Sequence, residues 1–512
     1  MKYFRCQVSN VSCQMSHKYT PTIGLEVHSE LKTASKMFCG CRNDAEEKRP
    51  NVNVCPVCLG HPGTLPVPNA AAIEAILRVG FALGGKLPEV SKFDRKNYFY
   101  PDLPKGYQIS QYDLPFVSGG ELSGVAITRV HLEEDTGRLI HETDNTKHEA
   151  EEGGSDVTRT RLHDSSLVDF NRAGVPLMEL VTEPVIHDAE TALRFAKELQ
   201  LVLRYLGVSD ADMEKGQMRV EANISVSTDP GKFGTKVEVK NLNSFRAVEG
   251  AIRYEIKRQS ELLDEGGKVV QETRGWNEGK KKTFSQRLKE SAHDYRYFPE
   301  PDIPPIDLSQ LDLMRIKTEV PELPEAKRRR LRTEYGLSPE RAEPLVAEPE
   351  LAAYFEKSFS ELLAMLEELG ATERSDDLLF NYLTSDLKGL MNQAGVSFSG
   401  LKFAPENFAH LVFLVKAGTV GSRAAKDIMK KMFDTGLDPE EILKQEGLAQ
   451  VSDEGELLDT VRAVIAENSG PVADYRAGKA NVLQFLIGKA MGSLRGRGNP
   501  AVIKELLEKF LK

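Results

Sequence analysis

The sequence predicts an α+β protein, in which a domain built on a mixed β-sheet precedes a helical domain and a small helical tail. Apolar and polar residues alternate, as they do in half-buried strands, in several segments between residues 19 and 240. After the proline-rich stretch 299–305 this alternation largely stops, and residues 310–512 have the spacing of helices. Because 512 residues are too many for one hydrophobic core, more than one domain is expected.

The predicted domains follow from these changes of pattern. A mixed-sheet domain covers 19–309, a helical domain covers 310–417 and the tail covers 418–512. Residues 1–18 form a poorly defined extension without periodicity, and Met15 is an alternative start of the protein. Residues 142–161 are polar and contain a glycine pair, which predicts a mobile surface loop.

Composition excludes some classes of protein. The net charge of −10 argues against a broadly basic nucleic-acid-binding surface, so an RNA partner would have to meet local basic patches. No apolar run approaches the roughly 18 residues of a membrane span, and the first residues lack the apolar centre of a secretory signal. We therefore expect a cytoplasmic protein that does not bind a membrane.

The first predicted strand, within residues 19–31, is the most informative stretch. One face is apolar and the other is polar, with the residues Gly24, Glu26, His28 and Glu30. Carboxylate and imidazole groups two residues apart can hold a divalent cation. The alternative is a half-exposed strand with a charged outer face. Glu30 is assigned a structural role.

Further acids lie on the polar faces or at the ends of later predicted strands, namely Glu133, Glu134, Glu221 and Glu238. Carboxylates gathered on one sheet would repel one another unless a cation neutralised them, and oxygen ligands suit Mg²⁺ that bridges nucleotide phosphates. Taken singly, each acid is better explained as a solvated strand residue, and only together do they favour a metal site. Whether these strands are neighbours is not determined by the sequence.

Phosphate-binding glycine motifs are absent from the sequence, which contains no G-x-x-x-x-G-K-[ST] loop and no G-x-G-x-x-G after a strand. ATP would therefore bind on a sheet, through metals and basic side chains. The candidates for contacts with phosphate or carboxylate groups, each also explicable as a surface charge, are Arg95, Lys96, Lys105, Arg172 and Arg296.

Four of the six cysteines form a C-x-C-x13-C-x2-C pattern, with Cys39, Cys41, Cys55 and Cys58. Two close pairs of this kind suit tetrahedral binding of Zn²⁺, and four thiolates leave no open position, so the zinc would be structural. The alternative is a loop with four reduced cysteines. A nucleophilic role for Cys39 is disfavoured because no histidine that would orient it is evident.

The tail contains a basic segment. No acid occurs between Tyr475 and Lys504, and several glycines accompany the basic residues Arg476, Lys479, Lys489, Arg495 and Arg497. Such a segment in an acidic protein suits an RNA phosphate backbone, although it could also be a solubilising helix end.

Five segments make a resemblance recognisable: IGLEVHSEL at 23–31, KFDRKNYFYP at 92–101, LVDFNRAGVPL at 167–177, KNLNS at 240–244 and DYRYFPEP at 294–301. They resemble the B subunits of bacterial glutamyl/aspartyl-tRNA amidotransferases, and the match runs from about residue 19 to the C-terminus. The resemblance implies a catalytic cradle domain similar to glutamine synthetase, a helical domain and a YqeY-like tail that binds tRNA. The extension at 1–18 and the loop at 142–161 depart from the family pattern.

The resemblance also implies an activity and partners. Glu on tRNA(Gln), or Asp on tRNA(Asn), would be phosphorylated by ATP and then amidated with ammonia that an amidase A subunit releases from glutamine. A small C subunit would join the A and B subunits. The family's metal ligands fall on Glu26, His28, Glu134 and Glu238, which implies Mg²⁺ or Mn²⁺, while Lys96 and Lys105 match positions that line the ammonia passage. The cysteine quartet resembles that of the zinc-containing members.

Two other functions stay open on the sequence alone. One is a stand-alone ATP-dependent ligase of the glutamine synthetase type acting on a small carboxylate. The basic tail and the absence of an ammonia source in the chain argue against it. The other is a non-catalytic tRNA-binding scaffold whose acids lie on the surface without a catalytic role.

Overall fold

The structure is a computed structural model that describes residues 18–142, 165–288, 295–368, 377–446, 454–479, 481–494, 498 and 500–511. Nearly all of the predicted extension at 1–18, and the predicted surface loop from 143 onward, lie outside the described residues. The chain divides into two compact units, of which the first ends at Pro324 and the second begins at Glu325.

The first unit contains the strands, and nine of the described ones form a single sheet in the order β14-β13-β12-β11-β1-β10-β7-β5, with β6 paired to β7. The pairs are antiparallel except for β12 with β13, so the sheet is mixed, as the sequence predicts. The strands are β1 (Thr20–Glu30), β2 (Val90–Ser91), β3 (Asp94–Asn97), β4 (Tyr107–Ser110), β5 (Val117–Ser118), β6 (Glu121–Leu122), β7 (Val125–Glu134), β8 (Arg138–Glu142), β9 (Ser165–Asp169), β10 (Pro176–Thr182), β11 (Met218–Ser227), β12 (Val237–Leu242), β13 (Glu272–Asn277), β14 (Lys282–Leu288), β15 (Phe298–Pro299) and β16 (Ile306–Asp307).

Strand β1 lies in the middle of this sheet, between β10 and β11. Its alternation is confirmed, because Ile23, Leu25 and Val27 are completely buried in the core of the unit. Since successive side chains of a strand point to opposite faces, Glu26 and His28 lie on the other face of the sheet.

Three helices cover the apolar face and a short fourth follows: α1 (Ala70–Ala82), α2 (Ala189–Tyr205), α3 (Phe245–Asp264) and α4 (Leu313–Thr318). In the sequence, Asn69 and Asp188 each precede apolar residues at helical spacing, which predicts two helix caps, and the structure confirms both. The Asn69 side chain accepts a hydrogen bond from the backbone N–H of Ala71, and the Asp188 side chain accepts one from that of Thr191. The apolar helix positions and the apolar strand positions thus form one core.

Residues 93–112 mix aromatic and charged residues with two prolines, which predicts an ordered loop, but a β-hairpin forms there instead. Strands β3 and β4 pair in it, and β15 pairs with the other edge of β3, so long-range pairing sets the structure of this segment. The sequence of residues 168–180 predicts a strand, a turn at 171–174 and a second strand, and both strands are present, as β9 and β10. They do not pair with each other, since β9 pairs with β8.

The second unit is helical, and no strand occurs among its described residues. A π-helical segment (Tyr382–Leu387) joins two of its helices, and the last four helices enclose an apolar core of their own. No helix in the described part of the chain is long and apolar enough to cross a bilayer. The helices are α5 (Pro324–Glu334), α6 (Pro339–Ala347), α7 (Pro349–Glu368), α8 (Asp377–Asn381), α9 (Lys388–Ala394), α10 (Pro405–Lys416), α11 (Ser422–Thr435), α12 (Pro439–Glu446), α13 (Glu454–Glu467), α14 (Ser469–Arg476), α15 (Val482–Ser493) and α16 (Pro500–Leu511).

Candidate active site on the polar face of the sheet

Strand register brings histidines and carboxylates of three neighbouring strands together. Glu179 on β10 stands opposite His28 on β1 and, on its other side, opposite His131 on β7. An oxygen of Glu179 lies 3.3 Å from Nε2 of His28 and 3.5 Å from Nε2 of His131. Glu133 adds an oxygen 3.8 Å from Nε2 of His28. We call His28, Glu133 and Glu179 the histidine group. One ligand atom from each lies within 4.8 Å of the others, as a shared metal ion would require.

A second group lies beside it on β1, β11 and β12. Glu26 stands opposite Glu221, and one carboxylate oxygen from each of Glu26, Glu221 and Glu238 lies within 4.8 Å of the others. We call these three residues the carboxylate group. Asn223 donates a hydrogen bond of 2.8 Å to Glu26, and the Lys240 ammonium donates one of 2.6 Å to Glu221. Lys240 also lies 3.5 Å from Glu238, so it pairs with two of the three carboxylates.

The buried carboxylates of the histidine group need positive charge beside them. Burial opposes the charged form of Glu179, but the charges and hydrogen bonds of His131 and His28 outweigh it and hold the pKa of Glu179 well below its usual value. Burial likewise opposes protonation of His28, but the hydrogen bond and charge of Glu179 raise the pKa of His28 to about 9. The imidazolium ions therefore balance the carboxylates, and a divalent cation could take over this charge once His28 releases its proton.

In the carboxylate group the negative charges are less well compensated. Burial raises the pKa of Glu26, and the charges of Glu179, Glu221 and Glu238 raise it further, although Lys240 opposes them. Such mutual repulsion is what a bound cation relieves, and an all-oxygen set of ligands fits Mg²⁺. Both groups therefore have the chemistry of cation ligands.

Glu134 belongs to neither group. Because Glu133 and Glu134 are consecutive on β7, their side chains leave the strand in opposite directions. Glu134 forms an ion pair with Lys105 and accepts a hydrogen bond of 3.0 Å from the backbone N–H of Ile109. This pair lines a cavity of about 200 Å³ that Cys58 and Arg95 also line.

The remaining predicted basic residues, Lys96, Arg172 and Arg296, have different surroundings. The Lys96 ammonium lies 5.3 Å from the centre of the Tyr295 ring; burial opposes its charge, but Glu133 and Tyr297 raise the pKa of Lys96 well above its usual value. The guanidinium of Arg172 donates hydrogen bonds of 3.0 and 2.9 Å to the carbonyls of Thr136 and Gly137. Arg296 is exposed and has a left-handed backbone, with φ of 44°.

The cysteine quartet converges. The Sγ atoms of Cys39, Cys41, Cys55 and Cys58 all lie within 4.8 Å of one another, and none of these cysteines forms a disulfide. Cys58 is buried and the other three are half-buried. Four sulfur atoms at such mutual distances can surround one tetrahedral Zn²⁺.

Comparison with known proteins decides the family. The sequence matches the GatB/GatE catalytic domain over residues 21–313 and the GatB domain designated GatB_Yqey over residues 364–511. The B subunit of an aspartyl/glutamyl-tRNA(Asn/Gln) amidotransferase from Thermomicrobium roseum is 47% identical over 97% of the chain and 99% of that protein. Proteins of the same name from Gloeothece citriformis and Carboxydothermus hydrogenoformans are 43% and 44% identical over 97% and 96% of the chain, and over 98% of each relative.

The chain belongs to the family of amidotransferase B subunits. Among the metal ligands that the family pattern suggested, Glu26 and Glu238 come together with Glu221, whereas His28 joins Glu133 and Glu179. Glu133 was among the acids named from the sequence, and strand alternation places it on the same face of β7 as His131. No such signal marked Glu179, which sits in an otherwise apolar strand.

The structure describes three of the five basic tail residues that are predicted to bind RNA. Lys489 is exposed, with its ammonium 5.5 Å from the centre of the Phe485 ring, and Lys479 pairs with Asp474 at 2.9 Å. Arg476 donates a hydrogen bond of 3.3 Å to the carbonyl of Leu511. Arg495 and Arg497 lie outside the described residues.

Proposed function

We propose that this chain is the subunit of a tRNA-dependent amidotransferase that activates and amidates the amino acid on a misacylated tRNA. The side-chain carboxylate of Glu on tRNA(Gln), or of Asp on tRNA(Asn), takes the γ-phosphoryl group of ATP, and ammonia then displaces phosphate to give Gln or Asn. The observation that carries the proposal is the polar sheet face with its two groups of ligands, found in a chain whose relatives are named for this amidation.

Divalent cations would be held by the histidine group and the carboxylate group. Oxygen ligands favour Mg²⁺ in the carboxylate group, and an imidazole also suits Mn²⁺ in the histidine group. When bound, such a cation neutralises nucleotide phosphates and the negative charge that develops during phosphoryl transfer. The chain itself supplies the alignment, because the ligands stand on paired strands in the middle of a rigid sheet.

Basic side chains would complete the site. Lys96 lies beside the histidine group and can stabilise negative charge on the carboxylate or phosphate. Arg296 is exposed and is proposed as a phosphate contact, whereas the hydrogen bonds of Arg172 to Thr136 and Gly137 favour a role in holding that loop. A site of this kind has to exclude water, because water would hydrolyse an acyl phosphate.

Ammonia would reach the site from an amidase A subunit, with a small C subunit joining the two. We propose that Lys105 and Lys96 line its polar passage. The support for Lys105 is that it forms an ion pair with Glu134 at the edge of a cavity of about 200 Å³.

Several further assignments rest on the same proposal. The cysteine quartet would hold a structural Zn²⁺, and the sheet domain would be a cradle related to glutamine synthetase. The YqeY-like tail would bind tRNA, with the exposed Lys489 and Lys479 supporting contacts to the phosphate backbone. The reaction would take place in the cytoplasm, where the charged tRNA is available.

ATP cleavage by the purified complex of the A, B and C subunits tests this function. With Glu-tRNA(Gln) or Asp-tRNA(Asn) present, cleavage is expected to rise at least about tenfold over cleavage with the uncharged tRNA, because the carboxylate to be activated is on the amino acid. Cleavage that depends on a small free carboxylate and ignores charged tRNA would support the stand-alone ligase instead. A complex that binds tRNA and amidates it without cleaving ATP would contradict the proposal.

A further inference from the structure

Lys36 is a completely buried lysine next to the cysteine quartet. It precedes Cys39 by three residues, and its backbone N–H donates a hydrogen bond of 2.9 Å to the carbonyl of Cys41. Its ammonium lies 3.8 Å from Sγ of Cys58. Burying an ammonium ion is costly unless hydrogen bonds and an opposite charge compensate it.

The partners of this ammonium identify its counter-charge. It donates hydrogen bonds of 2.7 Å to the carbonyl of Asn53 and 3.3 Å to that of Phe170, and both of these acceptors are neutral. Among the described residues no carboxylate forms an ion pair with Lys36, so the sulfur of Cys58 is the anionic partner within reach. Four thiolates around one Zn²⁺ carry a net charge of −2, which a buried cation would partly balance.

The same lysine joins the quartet to the loop 170–175. Phe170 accepts its hydrogen bond, and a Cβ built on Gly174 would lie 3.5 Å from the Lys36 side chain and 3.4 Å from Cβ of Cys58. The loop continues into β10, and the backbone of Asp135, at the end of β7, hydrogen-bonds to Gly174 and Val175. The quartet is thus connected to the strands that carry Glu133 and Glu179.

We propose that Lys36 is the buried counter-cation of the cysteine centre, a positioning residue that stabilises bound zinc by donating to the Cys58 thiolate and anchors the loop 170–175 to that centre. This inference rests on the proposed zinc site, but not on the amidotransferase activity. Hydrogen-bond donors around metal ligands typically change metal affinity by about 10- to 100-fold.

Zinc transfer from the purified full-length chain to a chromogenic chelator tests the proposal. Lys36→Met, a neutral side chain of similar length, is expected to release zinc at least about tenfold faster than the wild type. Lys32→Met, which removes an exposed lysine paired with Asp210, is the matched control and should release zinc at the wild-type rate. Equal rates for Lys36→Met and the wild type would overturn the proposal, as would a wild-type chain that binds no zinc. The latter result would leave tRNA-dependent ATP cleavage intact.

A second experiment, in a chain that lacks the four cysteines, distinguishes loss of the contact with the cysteine centre from a simple folding defect. In a chain in which Cys39, Cys41, Cys55 and Cys58 are all serine, the ammonium of Lys36 has lost its anionic partner. Adding Lys36→Met to that chain is therefore expected to leave its melting temperature unchanged or to raise it. If Lys36→Met lowers the melting temperature as much there as in the wild type, the lysine serves only its carbonyl partners, and the proposal fails.

Discussion

Glu179→Gln is expected to lower transamidation by the complex by about a hundredfold to a thousandfold, which is typical when a charged group that aligns a metal or stabilises a transition state is lost. Glu179 contacts His28 and His131, and its charge is largely responsible for the raised pKa of His28. The amide keeps the shape of the side chain but removes the charge. We expect the turnover number to fall, measured as Gln-tRNA(Gln) formed with saturating ATP and glutamine.

Glu121→Gln is the matched control for this change. Glu121 is an exposed glutamate on β6, a strand of the same sheet that lies away from the site. It should leave turnover within about twofold of the wild type, because exposed charges contribute little. Wild-type turnover in a folded Glu179→Gln complex would exclude Glu179 from the site.

Arg95→Met is expected to destabilise the first unit by about 3–5 kcal/mol, the range found when one partner of a buried ion pair is removed. The guanidinium of Arg95 binds both carboxylate oxygens of Glu300, at 2.7 and 2.8 Å, and packs over the Tyr107 ring at 4.2 Å. The Glu300 side chain is fully buried, so the variant would leave an uncompensated charge. The free energy of unfolding, measured by urea titration of the full chain, should fall accordingly.

Two comparison variants sharpen this result. Arg42→Met removes an exposed arginine that pairs with Asp44 at 3.4 Å, and it should cost less than about 0.5 kcal/mol. The double variant Arg95→Met/Glu300→Leu should recover most of the lost stability, because replacing both members of a buried pair with apolar residues is often neutral. A single variant as stable as the wild type would show that the pair does not hold β15 against β3.

Local patterns predicted a large part of the fold. The alternation in β1 assigned its buried face, and the positions of Asn69 and Asp188 assigned two helix starts, because these features depend on residues close in sequence. Strands β13 and β14 were not predicted. Their residues, among them Gly275 and the basic residues Arg274, Lys282 and Arg287, lack a clear apolar alternation.

The candidate site was only partly predictable. Glu26, His28 and Glu238 were singled out from the sequence, but their distribution over two groups depends on β1 lying between β10 and β11, an order that long-range pairing sets. Whether Glu133 or Glu134 joins the site depends on which face of β7 lies toward the histidines. Glu134, which the family pattern suggested as a metal ligand, pairs with Lys105 instead. Glu179 becomes visible only once its strand is paired with β1.

Binding of divalent cations by the polar sheet face is tested most directly by titrating Mn²⁺ into the zinc-loaded full-length chain and following free Mn²⁺ by electron paramagnetic resonance. Glu26→Gln and Glu179→Gln, one in each group, should each weaken binding at least about tenfold, whereas Glu121→Gln should bind as the wild type does. Equal Mn²⁺ affinity in the wild type and both site variants would contradict the assignment of this face as the metal-binding active site.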